Sequence, residues 1–266
     1  MSKNINIPFI GFGTWKLTGE VCVKAVSKAL EAGYRHIDTA DRYGNHKEVA
    51  KAVKDSGIKR EEIFITTKVW YTELNYKNVL GSLERFLDEL KTDYIDLLLV
   101  HWPNRQIPVE ETFGAFCELK DTKKIRYYGV SNYTIHHIED IISKGYRPFV
   151  NQVELHPSFN QKELYEYCKS KNILLTAYSP LGMGDELKNP IVVELSKKYN
   201  VTPAQVILNW IISRGIAAIP KSTNPVNIKD NLKSLEWKME KIDVEKINAI
   251  EQKPRLLNPP WQEFDY

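Results

Sequence analysis

Short apolar, β-branched runs alternate along the chain with longer amphipathic stretches. Eight of the runs read as strands: IPFIGF (7–12), RHIDTA (35–40), IFITTK (63–68), IDLLLVH (95–101), RYYGVS (126–131), PFVNQVEL (148–155), ILLTAYS (173–179) and IAAIPKS (216–222). Between them lie stretches of helical period. In VCVKAVSKALEAG, Val23, Val26, Ala29 and Leu30 fall on one stripe and Gly33 reads as the stop. YKNVLGSLERFLDELK places Val79, Leu83, Phe86, Leu87 and Leu90 on another stripe. TPAQVILNWIISRG opens with Thr202 and Pro203, a cap followed by a first-turn proline.

Strand followed by helix, eight times over, implies a parallel sheet built from βαβ units. Eight such units close naturally into a barrel, an architecture that needs roughly 250 residues. The chain has 266. The competing arrangement is an open, doubly wound sheet, which usually carries a GxGxxG turn after its first strand. Here that place reads GFGTWK (11–16), without the third glycine. No Pro/Gly/Ser-rich linker or low-complexity segment interrupts the pattern. The fold expected is therefore α/β, a (β/α)8 TIM barrel, with residues 1–266 as a single domain.

Composition narrows the function classes. Hydrophobic residues make up 42% and charged residues 27%, ordinary for a soluble globular protein. A formal charge of +3 is too small to argue for nucleic acid or an anionic membrane surface as a partner. Cys22, Cys117 and Cys168 are widely spaced, with no CxxC or Cys/His cluster, so no metal site is expected and a reducing compartment is. The opening MSKNINIPFIGFG has no apolar run of signal-peptide length. The expectation is a cytoplasmic protein acting on a small molecule.

In barrels of this kind chemistry gathers at the carboxyl ends of the strands. At or just past those ends stand Asp38, Lys68, His101, Ser131 with Asn132, Gln152 with Glu154, Tyr178 with Ser179, and Lys221 with Ser222. Each has a structural reading of its own: Asp38 as a partner of Arg35, Lys68 as a solvated surface lysine, His101 as a satisfied core histidine. A buried polar group left unpaired costs about 1–3 kcal/mol. A whole ring of them on successive strands is therefore better explained as a site.

With these positions in view, the sequence resembles the aldo-keto reductase family over nearly its whole length. The segments that carry the resemblance are GYRHIDTADRYGN (33–45), ITTKVW (65–70), LLLVHWP (97–103), GVSN (129–132), VNQVELHP (150–157), AYSPLG (177–182) and IPKSTNP (219–225). The resemblance implies reduction of aldehydes and ketones by hydride transfer from NADPH, with a tetrad of Asp38, Tyr43, Lys68 and His101. Tyr43 would protonate the carbonyl oxygen and His101 would orient it. A free tyrosine has a pKa near 10, and Lys68, held by Asp38, would favour the phenolate. A unit charge about 4 Å away is worth roughly 4 kcal/mol at an effective dielectric of about 20. Lowering the pKa by about 1.5 takes only about 2 kcal/mol.

The resemblance also implies a cofactor site. Tyr178 would stack on the nicotinamide, and Ser131, Asn132 and Gln152 would bind its carboxamide. Thr14 would lie under the ribose, Ser179 and Leu181 along the cofactor, Lys221, Ser222 and Thr223 at the 2′-phosphate, and Asn231 near the adenine. Trp15, Trp70 and Trp102, with His101, would wall the substrate pocket; core packing is the competing reading for an aromatic wall, and for Trp70 the pocket is favoured.

Three departures stand out. Asn227 and Asp230 occupy positions where the family often has arginine and glutamate, and His46 follows YGN where an acid is usual. Without that arginine, NADPH preference should narrow and some NADH use is expected; Lys229 would compensate if its helix turned it inward. The loops after Pro103 and Tyr178 are short, which predicts an open pocket with broad, weak discrimination. Trp261 in the tail either folds over the pocket or packs on the outer helices. Two other functions compete. One is a cofactor-binding sensory module, against which the chain shows no extra N-terminal docking segment. The other is a Schiff-base aldolase using Lys68 or Lys221. A monomer is expected.

Overall fold

The computed structural model describes residues 7–266. Eight parallel strands follow one another in chain order: β1 (Phe12–Gly13), β2 (His36–Asp38), β3 (Phe64–Val69), β4 (Ile95–Val100), β5 (Ile125–Ser131), β6 (Val150–Glu154), β7 (Leu174–Tyr178) and β8 (Ala217–Ala218). The sheet closes on itself. Gly11 N donates to Ala218 O at 2.8 Å, Ala218 N to Phe9 O at 2.8 Å, and Gly13 N to Pro220 O at 3.1 Å. All eight expected runs contribute to strands, but the first and last strands are two residues long, and across the seam between them Ile10 pairs with Ala218 as an isolated bridge.

Helices cover the outside: α1 (Gly19–Ala32), α2 (His46–Asp55), α3 (Tyr76–Leu90), α4 (Val109–Asp121), α5 (Ile135–Ser143), α6 (Lys162–Ser170), α7 (Pro190–Tyr199), α8 (Pro203–Ser213), α9 (Pro225–Leu232) and α10 (Lys241–Asn248). Their ends follow the sequence signals. Gly33 ends α1 at φ 111°, a conformation that costs glycine little. Thr202 caps α8 in a capping box with Gln205, with Pro203 in the first turn. On α3, Val79, Leu83, Phe86 and Leu90 are buried, while Leu87 lies at the half-buried edge.

The period of two along the strands sorts side chains into two layers. Ile37, Ile65, Leu98 and Val100 point outward and join the helices in the main core. Phe64, Leu97, Leu99, Val150 and Ala217 form a second cluster inside the barrel. The same inward register, continued toward the carboxyl ends, brings Lys68 after Phe64, His101 after Leu99 and Gln152 after Val150. The barrel interior is therefore apolar at its amino end and polar at its carboxyl end. Gly129 lets the strands close at this level: a Cβ there would stand 2.5 Å from Val150 O.

Candidate active site

The polar half of the interior is one connected network spanning six strands. Lys68 Nζ donates to Asp38 Oδ1 at 2.6 Å and to Thr39 O at 2.9 Å. Gln152 Nε2 donates to Asp38 Oδ2 at 2.7 Å, and Ser131 Oγ to Gln152 O at 2.8 Å. Asn132 Nδ2 donates to His101 O at 2.9 Å and to Ser131 Oγ at 3.1 Å, and Tyr178 OH donates to Asn132 Oδ1 at 2.7 Å. Asp38 and Lys68 are both about 1% exposed. Asp38 does not pair with Arg35, whose guanidinium binds Leu30 O and Tyr34 O instead. Lys68 is likewise no surface lysine, and its amine is engaged by Asp38 and Thr39 O, not left free to attack a carbonyl as a Schiff-base lysine must.

Tyr43 ends a short 3-10 turn, Asp41–Tyr43, that follows β2. Its ring meets His101 edge-on at 5.7 Å, and Lys68 Nζ stands 5.2 Å from its centroid. Burial pushes its phenol well above the usual value, and the charge of Asp38 and then Tyr178 push it the same way. This differs from the expectation that Lys68 would draw it down. The reason is local: Asp38 touches the ammonium and offsets its field, so desolvation dominates. Burial, then Lys68, holds the His101 imidazole well below the ordinary histidine value. Burial also lowers Lys68, against the opposing pull of Asp38.

Hydrogen-bond capacity that remains here suits a nicotinamide carboxamide. Gln152 uses its Nε2 on Asp38, while its Oε1 accepts no hydrogen bond among the described residues. Asn132 Oδ1 accepts one bond and has a second lone pair. Two such acceptors match a primary amide's two N–H groups. Thr14, fully buried, donates its hydroxyl to Asp38 O at 3.0 Å. Asn132 and Ser179 both adopt positive φ, 66° and 46°, where their strands turn into the loops. Leu181 is half-buried in the loop beyond β7.

The remaining cofactor candidates lie outside this network. Lys221 and Thr223 are exposed on the loop between β8 and α9, with Ser222 half-buried beside them. Asn231 is buried in the last turn of α9, close to the Tyr34 hydroxyl. Asn227 and Lys229 are both exposed, and two residues along a helix turn them about 200° apart, so Lys229 does not take over the face of Asn227. Asp230 pairs with Lys233 at 2.7 Å.

The walls are aromatic. Trp70 meets His101 edge-on at 5.2 Å, and Trp102, 6% exposed, packs on Phe264. Trp15 is half-buried, with Lys16 Nζ 4.4 Å over its ring. Trp261 lies against Trp70 at 5.8 Å and stacks on Tyr71 at 6.0 Å, so of its two placements the one at the pocket is realised. Beside these walls an open cleft of about 850 Å³ reaches Tyr43.

Thr39 and Asn45 were not singled out from the sequence, and Glu154 and His46 were named there without a partner. Thr39 Oγ1 donates to Asn45 Oδ1 at 2.6 Å, and Asn45 Nδ2 donates to Thr14 O and Leu17 O, which fixes the turn carrying Tyr43. Glu154 accepts from Leu256 N and Leu257 N at 2.6 and 3.0 Å and so ties the tail to β6. His46, whose sequence context had no explanation, is a buried strut. Its Nδ1 meets Glu89 Oε2 at 2.8 Å and its Nε2 meets Thr67 Oγ1 at 2.8 Å, joining α2, α3 and β3. Among the described residues no cluster of His, Cys, Asp or Glu could hold a metal, and no helix is long and apolar enough to cross a membrane.

An eight-stranded barrel with this polar end matches the model of the aldo/keto reductase family over residues 9–252. The chain belongs to that family. It is 42% identical over 265 residues to a 9,11-endoperoxide prostaglandin H2 reductase of Trypanosoma cruzi, covering 98% of this chain and 93% of the relative. It is 40% identical to a glycerol 2-dehydrogenase (NADP(+)) of Saccharomyces cerevisiae, covering 100% and 95%. Among solved structures, an aldo-keto reductase from a Medee basin deep-sea metagenome library superposes with a TM-score of 0.94 at 38% identity, covering 99% of this chain and 97% of the other. The chain is thus an oxidoreductase of a carbonyl-reducing family.

Proposed function

We propose that the protein reduces aldehyde and ketone carbonyls to alcohols with NADPH, Tyr43 giving the proton. The observation that carries this reading is the buried Asp38–Lys68 pair, 2.6 Å apart, with Lys68 Nζ over the ring of Tyr43 and that ring against His101. Bound NADPH supplies the hydride. Tyr43, held protonated in the resting site, donates to the carbonyl oxygen as charge builds there. Lys68 then stabilises the phenolate left behind, and Asp38 keeps the ammonium in place. His101, neutral because it is buried, orients the oxygen by hydrogen bonding. Ser131, Asn132 and Gln152 would hold the carboxamide and Tyr178 the nicotinamide ring, with Thr14 at the ribose and Ser179 and Leu181 along the cofactor. Lys221, Ser222 and Thr223 would hold the 2′-phosphate, and Asn231 would bind near the adenine. On the same reading the protein works as a cytoplasmic monomer; its three free thiols suit a reducing compartment.

Tyr43→Phe tests the acid. NADPH binding should persist while kcat falls at least about a hundredfold, the scale of general-acid catalysis. Retention of more than about a tenth of wild-type turnover, with chemistry rate-limiting, would remove Tyr43 from that role. The cofactor choice is tested at position 227. An arginine there adds a planar donor pair that a lysine does not imitate. Asn227→Arg should therefore tighten NADPH by about tenfold to a hundredfold and leave NADH unchanged, read by fluorescence titration. Wild-type protein should prefer NADPH with measurable NADH use; equal affinities would exclude Lys221 as the phosphate's partner.

A further inference from the structure

The cleft at Tyr43 is lined by two carboxylates and three cations, and the carboxylates are already engaged. Asp41 accepts both arms of Arg85, at 2.7 and 3.0 Å. Glu73 accepts from Thr72 Oγ1 and Asn78 Nδ2, each at 2.9 Å. Of the cations lining the cleft, Arg42 and Lys77 have no carboxylate partner among the described residues. The charge left over along this cleft, which Tyr43 lines, is positive.

Arg42 is also held in a defined place. Its guanidinium lies 5.4 Å over the Trp70 ring, and that ring meets His101, which in turn meets Tyr43. The cation therefore stands two ring contacts from His101, on the same 3-10 turn as Tyr43 itself. Stacking on an indole leaves the edge of a guanidinium, with its N–H groups, free to meet a planar anion in bidentate fashion. Arg42 is exposed, so its guanidinium meets solvent on one side and the Trp70 ring on the other.

We propose that the carbonyl substrates this site favours carry a carboxylate at the far end of a short chain, with Arg42 as its partner. The proposal rests on the carbonyl-reductase reading above. The chemistry is unchanged by the anion: the aldehyde carbon gains hydride, its oxygen gains the proton, NADPH becomes NADP+, and the carboxylate passes through intact. Arg42 acts on recognition, so its contribution falls on KM.

The test compares 4-oxobutanoate with its methyl ester, which keep one carbonyl and one chain length but differ by the charge. Initial rates of NADPH oxidation should give a kcat/KM about tenfold higher for the acid, the scale of one charge-assisted contact. Arg42→Gln should erase that difference through KM and leave the ester within about twofold of wild type, while Arg42→Lys should keep part of it. Added salt should narrow the gap in wild type and do nothing in Arg42→Gln. Acid and ester reduced equally by wild type would overturn the proposal and leave the reductase reading standing. So would an equal loss on both in Arg42→Gln, which would make Arg42 a support for Trp70. Reduction of neither compound by NADPH-bound enzyme would overturn both readings.

Discussion

Two buried ionic clusters sit at the same end of the barrel, and they are built differently. In the first, Asp38 faces Lys68, one acid against one base, with Gln152 and Thr39 O filling the remaining bonds. In the second, His156 lies between two acids, with Nδ1 at 2.8 Å from Glu186 Oε1 and Nε2 at 3.3 Å from Glu154 Oε1. Ser158 adds its backbone N–H at 3.1 Å and its hydroxyl to Glu186, and the tail amides of Leu256 and Leu257 bind Glu154. All five charged side chains are nearly inaccessible to water. Lysine's ordinary pKa, about 10.4, lies far above working pH, whereas histidine's, about 6.5, lies next to it. The first cluster is a floor beneath Tyr43 built on a base that starts well above working pH, although burial lowers it against the pull of Asp38. The second is a clasp whose strength depends on proton supply.

The largest effect expected comes from breaking the floor. Lys68→Met leaves Asp38 buried with an amide as its only remaining side-chain partner, and losing one member of a buried ion pair costs about 3–5 kcal/mol. Urea unfolding should show that loss directly. Adding Asp38→Leu to Lys68→Met should recover much of it, since removing both charges leaves none uncompensated. Additive losses in the double variant would mean that the pair is not the unit that the geometry describes.

How far the sequence revealed this depends on how local each signal was. The strands, the stripe on α3, the stop at Gly33 and the Thr202 cap were legible because period and capping are properties of neighbours. The floor was legible because a strand's register carries polar residues to its end, where Asp38, Lys68, His101 and Gln152 now meet. Their electrostatics were not: a lone Lys68 lowers a phenol, but a Lys68 touching Asp38 inside a dry barrel does not, and only the fold reveals the dryness. Of the clasp only Glu154 was marked, as a polar residue at a strand end, and its partners were not. Glu154 meets amides more than a hundred residues downstream, and no periodicity encodes that contact. Nor did anything near His46 announce Glu89 on a different helix.

The smaller effect separates the two clusters by pH. Burial alone would lower His156, but its hydrogen bonds and charge contacts with Glu154 and Glu186 outweigh it, and the net direction is upward. Burial would raise Glu186, but His156 and Ser158 outweigh it, and the net direction is downward. A raised histidine contributes stability that is complete below its unfolded pKa, near 6.5, and is lost as pH climbs through its folded value. A lowered carboxyl contributes above its unfolded pKa, about 4.3, and fails as pH falls through its folded value. The clasp should therefore be strongest at about pH 5–6 and weaken on the alkaline side first. Relative to His156→Gln, wild type should be more stable there by about 1.5–3 kcal/mol, the scale of hydrogen bonds to charged groups. That margin should shrink as the medium turns alkaline. The emission of Trp261, seated on Trp70 and Tyr71, should shift in step as the tail loosens. Over the same window the coupling between Asp38 and Lys68 should stay constant. If it faded in parallel, the distinction between a lysine floor and a histidine clasp would be lost. If the wild-type margin stayed flat while the tail remained seated, the two carboxylates would be holding the tail without the imidazolium.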